Sequence, residues 1–289
     1  MRVVVTGGSG KLGRAVIDEL MEHGWSVVNL DLVPPAERRC PYTRIDLTDH
    51  GQTVEALAAI DDRYQHVDAV VHLAAIPAPG LTGNAATFHN NLTATYNVFS
   101  AARIAKIRNV VWASSETVLG LPFATPPPYI PVDEEYPGRP ESSYSLAKHL
   151  EEHMAAQFCR WEPELKMIGL RFSNVMVPSD YAAFPSYQDD ARLRCWNLWS
   201  YVDARDGAQA VRLALEYTGT GMEVFIVANA DTVMERPSVD LAREVFPSVA
   251  LTREVGTHET LLSIDKARRV LGYEPRYTWR QNRLSATSS

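Results

Sequence analysis

"VVVTGGSGKLG", residues 3–13, decides how the chain must fold. A run of valines marks a strand buried on both faces, as in a parallel sheet. The run stops at Gly7, and from Lys11 the pattern "KLGRAVIDELMEHG" has helical periodicity. Between strand and helix stand Gly7, Gly10 and Gly13. Glycine there lets the backbone turn tightly and approach a pyrophosphate, whose charge meets the positive end of the helix. Strand, glycine loop and helix in that order predict a dinucleotide site, with Lys11 and Leu12 completing the cradle.

Working outward, the next segments repeat the alternation. "SVVNLD", "DAVVHLAA" and "NVVWASS" read as strands, and "NNLTATYNVFSAARIAK" between the last two reads as a helix. Such alternation predicts an α/β fold, a Rossmann-type doubly wound parallel sheet. "PFATPPPYIP" (122–131) is too rich in proline for a helix and should loop over the carboxyl edge of the sheet. A helix over 144–160 and the strand "KMIGLRFSNV" follow. The expected organisation is a dinucleotide-binding domain over 1–175, its core continuing through about 200–230. Residues 176–289 form mainly a small substrate-binding lobe, interleaved with that core, and "RLSATSS" at the end should be frayed.

Bulk composition agrees with a large soluble core: 289 residues, 46% hydrophobic and 22% charged. The formal net charge of −7 argues against nucleic acid or an anionic membrane as partner. Cys40, Cys159 and Cys195 are scattered without a metal-ligand spacing, which fits reduced thiols in a cytoplasmic protein. No apolar run is long enough to span a membrane and no HExxH or His/Cys cluster is present, so no metal is expected.

Two acidic positions bear on the cofactor. Asp31 closes the second strand, 18 residues after Gly13. A carboxylate there accepts hydrogen bonds from the adenosine ribose and repels a 2′-phosphate, which favours NAD over NADP. Arg38 and Arg39 could answer such a phosphate, or be solvated loop charges. Asp46 in "RIDLTD" could meet the adenine amine or cap a helix. Farther along, "ESSYSLAKHLEE" (141–152) sets Tyr144 and Lys148 one helical turn apart on one face. Oxidising an alcohol requires a base, and a phenol ionises near pH 10. Bringing it to neutrality takes about 4 kcal/mol, within reach of one partly buried cation and a positive nicotinamide ring. Ser114 and Ser115 end a strand at the carboxyl edge, where ligands bind in such sheets.

Taken together, TGGxGxxG (6–13), Asp31, "HLAA" (72–75), "SSETVLG" (114–120), YxxxK, "YVDARD" (201–206) and "DKARRVLGYEP" (265–275) resemble the extended short-chain dehydrogenase/reductase superfamily, the NAD-dependent epimerase/dehydratase family. The resemblance runs over nearly the whole chain. It implies Ser115 as the catalytic serine, Tyr144 as the acid/base and Lys148 as the partner that also holds the nicotinamide ribose. It further implies Leu47, Leu73, Ala74, Ala75 and Asn91 on the cofactor side, with Ser115, Glu116 and Asn174 near the substrate. Members of the family that dehydrate sugars carry an Asp–Glu pair after the hydroxyl residue. Glu116 and Thr117 stand there instead, which disfavours dehydration.

Only 27 residues separate Asn174 from Tyr201 (201 − 174), little chain to enclose a nucleotide diphosphate. Uronate dehydrogenases, to which the chain bears some likeness, are similarly short. They grip the substrate carboxylate with an arginine five residues before a tryptophan, as Arg194 and Trp199 stand here, though "YAAFPSYQDDA" (181–191) departs from them. The leading expectation is an NAD-dependent oxidoreductase acting on a small carbohydrate or sugar acid. A sugar 4-epimerase with tightly bound NAD is the alternative, and a non-catalytic dinucleotide sensor is a third reading that the intact Tyr–Lys pair opposes. The resemblance also implies a homodimer through helices near 91–105 and 144–160.

Overall fold

A computed structural model describes residues 1–58 and 66–281. The expected frayed end, 283–289, lies outside the described residues. Along the chain run β1 (Arg2–Thr6), α1 (Lys11–Glu22), β2 (Ser26–Asp31), β3 (Tyr42–Arg44), α2 (His50–Ala58), β4 (Ala69–His72), α3 (Asn84–Ile104) and β5 (Asn109–Ser115). After the proline-rich loop, which contains the short β6 (Tyr129–Ile130), come α4 (Ser143–Trp161), β7 (Lys166–Phe172) and β8 (Val175–Met176). The remainder holds β9 (Val202–Asp203), α5 (Ala204–Glu216), β10 (Gly221–Val227), α6 (Ser238–Val245), β11 (Ala250–Leu251) and α7 (Asp265–Leu271).

Seven strands form one sheet in the order β10-β7-β5-β4-β1-β2-β3, every pair parallel. The valine run explains why the sheet is covered on both sides. Val3 and Val5 enter one core and Val4 the other, because successive side chains of a strand point to opposite faces. Helices α1 and α5 pack together, and α2, α3 and α4 form the other packed set. The strand order reverses between β1 and β4, so a crevice opens at their carboxyl ends.

"GMEVFIV" (221–227) forms β10, the edge strand of the main sheet. Its neighbour β7 lies about fifty residues away in sequence, a pairing that local pattern does not reveal. Residues 178–197 form three short 3-10 segments whose Tyr181, Phe184 and Ala191 reach the core. The proline-rich loop is tied down through the parallel β6–β11 pair and by Val132 N donating to Leu261 O (2.9 Å).

Candidate active site

A cavity of about 1160 Å³ runs along the carboxyl ends of the strands. At one end lies the glycine loop. Gly7 has φ +70°, and a Cβ there would sit 2.6 Å from the backbone nitrogen of Ala74; one on Gly13 would sit 2.2 Å from Gly7 O. These two glycines let β1, the loop and α1 close on one another. Gly10 is different. A Cβ on it would meet only Gly7 O at 3.2 Å, and the residue faces the cavity, where its bare backbone allows close approach of a ligand.

Lys11, Leu12, Asp31, Asp46, Leu47, Leu73, Ala74 and Ala75 also line this end. Asp31 accepts hydrogen bonds from Ser9 N (2.9 Å) and Val33 N (3.0 Å), which fix its carboxylate at the mouth. Asp46 accepts from Thr48 N (2.9 Å) and Thr48 Oγ1 (2.7 Å). The helix cap is supplied by Asp49, not Asp46: the Asp49 carboxylate accepts from Gln52 N (3.0 Å). Arg38 and Arg39 stay away from the cavity wall, and Arg39 pairs with Asp18 and Glu37.

Asn91 does not line the cavity. It is fully buried and clamps the loop behind the wall, accepting from Ile76 N (2.8 Å) and donating to Ile76 O (2.9 Å). Its neighbour Asn90 lines the cavity instead.

At the other end, Ser115, Tyr144 and Lys148 come together on the wall. Their placement follows from local sequence. Ser142 and Ser145 form a reciprocal capping box, Ser145 N to Ser142 Oγ at 3.1 Å and Ser142 N to Ser145 Oγ at 2.8 Å, which starts α4 at Ser143. Tyr144 therefore sits in the first turn and Lys148 one turn below. Burial pushes the Tyr144 phenol up, while the Lys148 ammonium and a hydrogen bond with Ser115 pull it back. Lys148 Nζ donates to Ala113 O and to Glu151 Oε2, each at 2.9 Å. Next to it, Glu152 is held by Arg171 through two bonds of 2.9 Å and by Ser114 Oγ at 2.6 Å. His72 is buried between Thr6 (2.7 Å) and Thr95 (3.1 Å), and burial pushes it down to about 3. It stays neutral.

Beside Ser115, Tyr144 and Lys148, the cavity wall carries Glu116, Thr117, Ser142, Asn174 and Trp196. Glu116 is buried and accepts from Asn197 Nδ2 (3.1 Å); burial pushes its carboxyl up to about 7 against the pull of Ser173, Asn197 and Arg194. Arg194 departs from its expected role. Its side chain is buried behind the wall, donating to Ser200 O (3.0 Å) with its guanidinium 4.9 Å from the Trp196 ring and 5.4 Å from Tyr187. The Arg–Trp spacing is present, but Trp199 is fully buried and draws that turn inward through Nε1 to Ala191 O (2.6 Å). Glu151, Trp196 and Asn197 were not singled out from sequence. Only Glu151 carried a local signal, its place one turn from Lys148. Among the described residues, no group of His, Cys, Asp or Glu is arranged to hold a metal.

Comparison with known proteins agrees with this geometry. The profile of the NAD-dependent epimerase/dehydratase family matches residues 3–228. UDP-glucose 4-epimerase of Yersinia pestis is 32% identical over 186 residues, covering 60% of this chain and 53% of that protein. The chain thus spans about half the length of the curated relatives it matches. A crystal structure of a UDP-galactose 4-epimerase superposes with TM-score 0.69 at 30% identity, over 96% of this chain and 94% of the other. A mutated uronate dehydrogenase superposes with TM-score 0.68 at 21% identity, over 100% and 86%, a likeness of fold.

Proposed function

The chain belongs to the NAD-dependent epimerase/dehydratase family, and from that premise we propose that it is an NAD-dependent oxidoreductase acting on a hydroxyl carbon of a small carbohydrate. The observation that carries this reading is the meeting of Ser115, Tyr144 and Lys148 at one end of a cavity whose other end presents Gly10 and Asp31. The residues present fit a dinucleotide: the glycine loop would take its pyrophosphate and Asp31 its adenosine ribose. Bound there, the nicotinamide supplies the hydride acceptor. Tyr144 takes the hydroxyl proton, Ser115 hydrogen-bonds the reacting oxygen, and the Lys148 charge favours the phenolate.

Among the described residues no arginine lines the cavity, and Glu116 and Glu141 do. With Arg194 behind the wall, this supports an uncharged sugar over a sugar acid or a nucleotide diphosphate. A panel of aldoses, uronic acids and nucleotide sugars, read by the absorbance of reduced cofactor, tests the proposal. Reduction of NAD with free aldoses is expected; no reduction by any of them while NAD binds would overturn it. The names of the relatives favour a second reading, a sugar 4-epimerase. Interconversion of two sugars with no net reduction of cofactor would select that one.

Tyr96 and Ile104 on α3 and Leu146, Leu150 and Trp161 on α4 are exposed apolar side chains on two packed helices. They support the expected homodimer, which sedimentation tests; a monomer at micromolar concentration removes it. The free thiols of Cys40, Cys159 and Cys195 support a cytoplasmic setting, and no helix among the described residues is long and apolar enough to cross a membrane.

A further inference from the structure

We propose that Glu151 is a positioning residue for the proton-transfer pair, the counter-ion that keeps Lys148 an ammonium at the cavity wall. Glu151 is fully buried on α4, three residues beyond Lys148, with Oε2 at 2.9 Å from Nζ. Lys148 is itself 2% exposed. An ammonium removed from water this far is strongly disfavoured, and a buried lysine without a partner loses its proton near neutrality. A neutral amine would neither stabilise a Tyr144 phenolate nor keep three donors.

The surroundings leave this task to Glu151. On α4, Glu152 also faces Lys148, but Arg171 on β7 and Ser114 on β5 already bind both its oxygens. From β4 comes His72, which is neutral. Tyr144 on α4 is a phenol, and Glu116, from the turn after β5, bonds Asn197. Among the described residues, no other carboxylate lies within ion-pair distance of Lys148. Desolvation works against the Lys148 charge, the Glu151 carboxylate is the largest influence opposing it, and the ammonium titrates above its ordinary range. Two of its three N–H groups are held by Ala113 O and Glu151, which leaves one for the cavity.

The inference rests on the proposed role of Lys148, but its test needs neither substrate nor cofactor. Lysine labelled with carbon-13 at Cε, with the Lys148 resonance assigned through Lys148→Arg, reports the ionisation directly. In the wild-type protein Lys148 should not titrate below the ordinary lysine range. In Glu151→Gln its midpoint should fall by about two units or more, and Glu151→Asp should restore most of it. Glu151→Ala is expected to behave like the glutamine variant, so whichever neutral variant folds decides. An unchanged midpoint in a folded neutral variant overturns the inference, and a loss of thermal stability alone, without the shift, does so equally. Should the sugar panel fail while the midpoint falls, the charge-keeping role stands and the proposed reaction does not.

Discussion

Tyr144 is useful only while its oxygen can exchange a proton, so Tyr144→Phe separates chemistry from binding. Turnover should fall by a factor on the order of 10³ or more, with cofactor affinity nearly intact, because the phenol contributes little to holding a dinucleotide. Steady-state rates and cofactor titration of one preparation check both halves. Glu116 makes a prediction of a different kind. Its folded-state carboxyl, raised to about 7, keeps its proton longer than it would in the unfolded chain. The contribution of Glu116 to stability is therefore fully present below the unfolded value and is lost as pH rises toward about 7. Glu116→Gln retains an acceptor for Asn197 and removes that loss. The variant should gain up to about 3 kcal/mol over wild type at pH 8 and nothing at pH 4, measured by denaturant melts. At this scale, spacing alone set Tyr144 and Lys148 on one helix face and put Ser114 and Ser115 at a strand end, since these are local geometry; the resemblance singled out Ser115 of the pair. It could not tell that Arg194 points behind the wall or that Asn91 serves a loop, because which side of a wall a side chain occupies depends on distant packing.

The elements were legible wherever their cause is local. Valine runs, glycine loops and the Ser142–Ser145 box each state a strand, a turn or a helix start within a few residues. What was not legible is how elements hold one another. Lys166, the first residue of β7, is nearly buried, and its Nζ donates to Ala214 O (3.1 Å), Leu215 O (2.8 Å) and Tyr217 O (2.6 Å). It caps the carboxyl end of α5 from a strand about fifty residues away, which no reading of α5 alone would reveal. Burial pushes this lysine down to about 8. Lys166→Met should keep the stem packing and take this donor from Ala214 O and Tyr217 O, while Leu215 O keeps Asn109 Nδ2 (3.0 Å). The expected cost is about 1–3 kcal/mol of stability, with fraying of the C-terminal turn of α5 visible in amide hydrogen exchange.

For the whole molecule, the cavity is continuous from Asp31 to Trp196, so a dinucleotide bound at one end should stabilise the entire fold. At 100 times its dissociation constant, NADH should add about 2.7 kcal/mol, roughly 5 °C in melting temperature. NADPH at equal concentration should add much less, since Asp31 would face its 2′-phosphate with like charge. Equal shifts would mean that Arg38 or Arg39 outweighs the carboxylate. The sheet itself was legible as a doubly wound one, but β10 joins it only through long-range pairing with β7. The strand order also has a meaning in time. β4, β5, β7 and β10 each pair with a strand that precedes them in the chain, starting from β1. As the polypeptide leaves a ribosome, each strand of the seven-stranded sheet after β1 meets a partner already made. Arg171, which steadies Glu152, is synthesised before any part of the 178–197 segment that carries Trp196 and Asn197. The glycine-loop end of the cavity is therefore synthesised before the stretch of wall that carries Trp196.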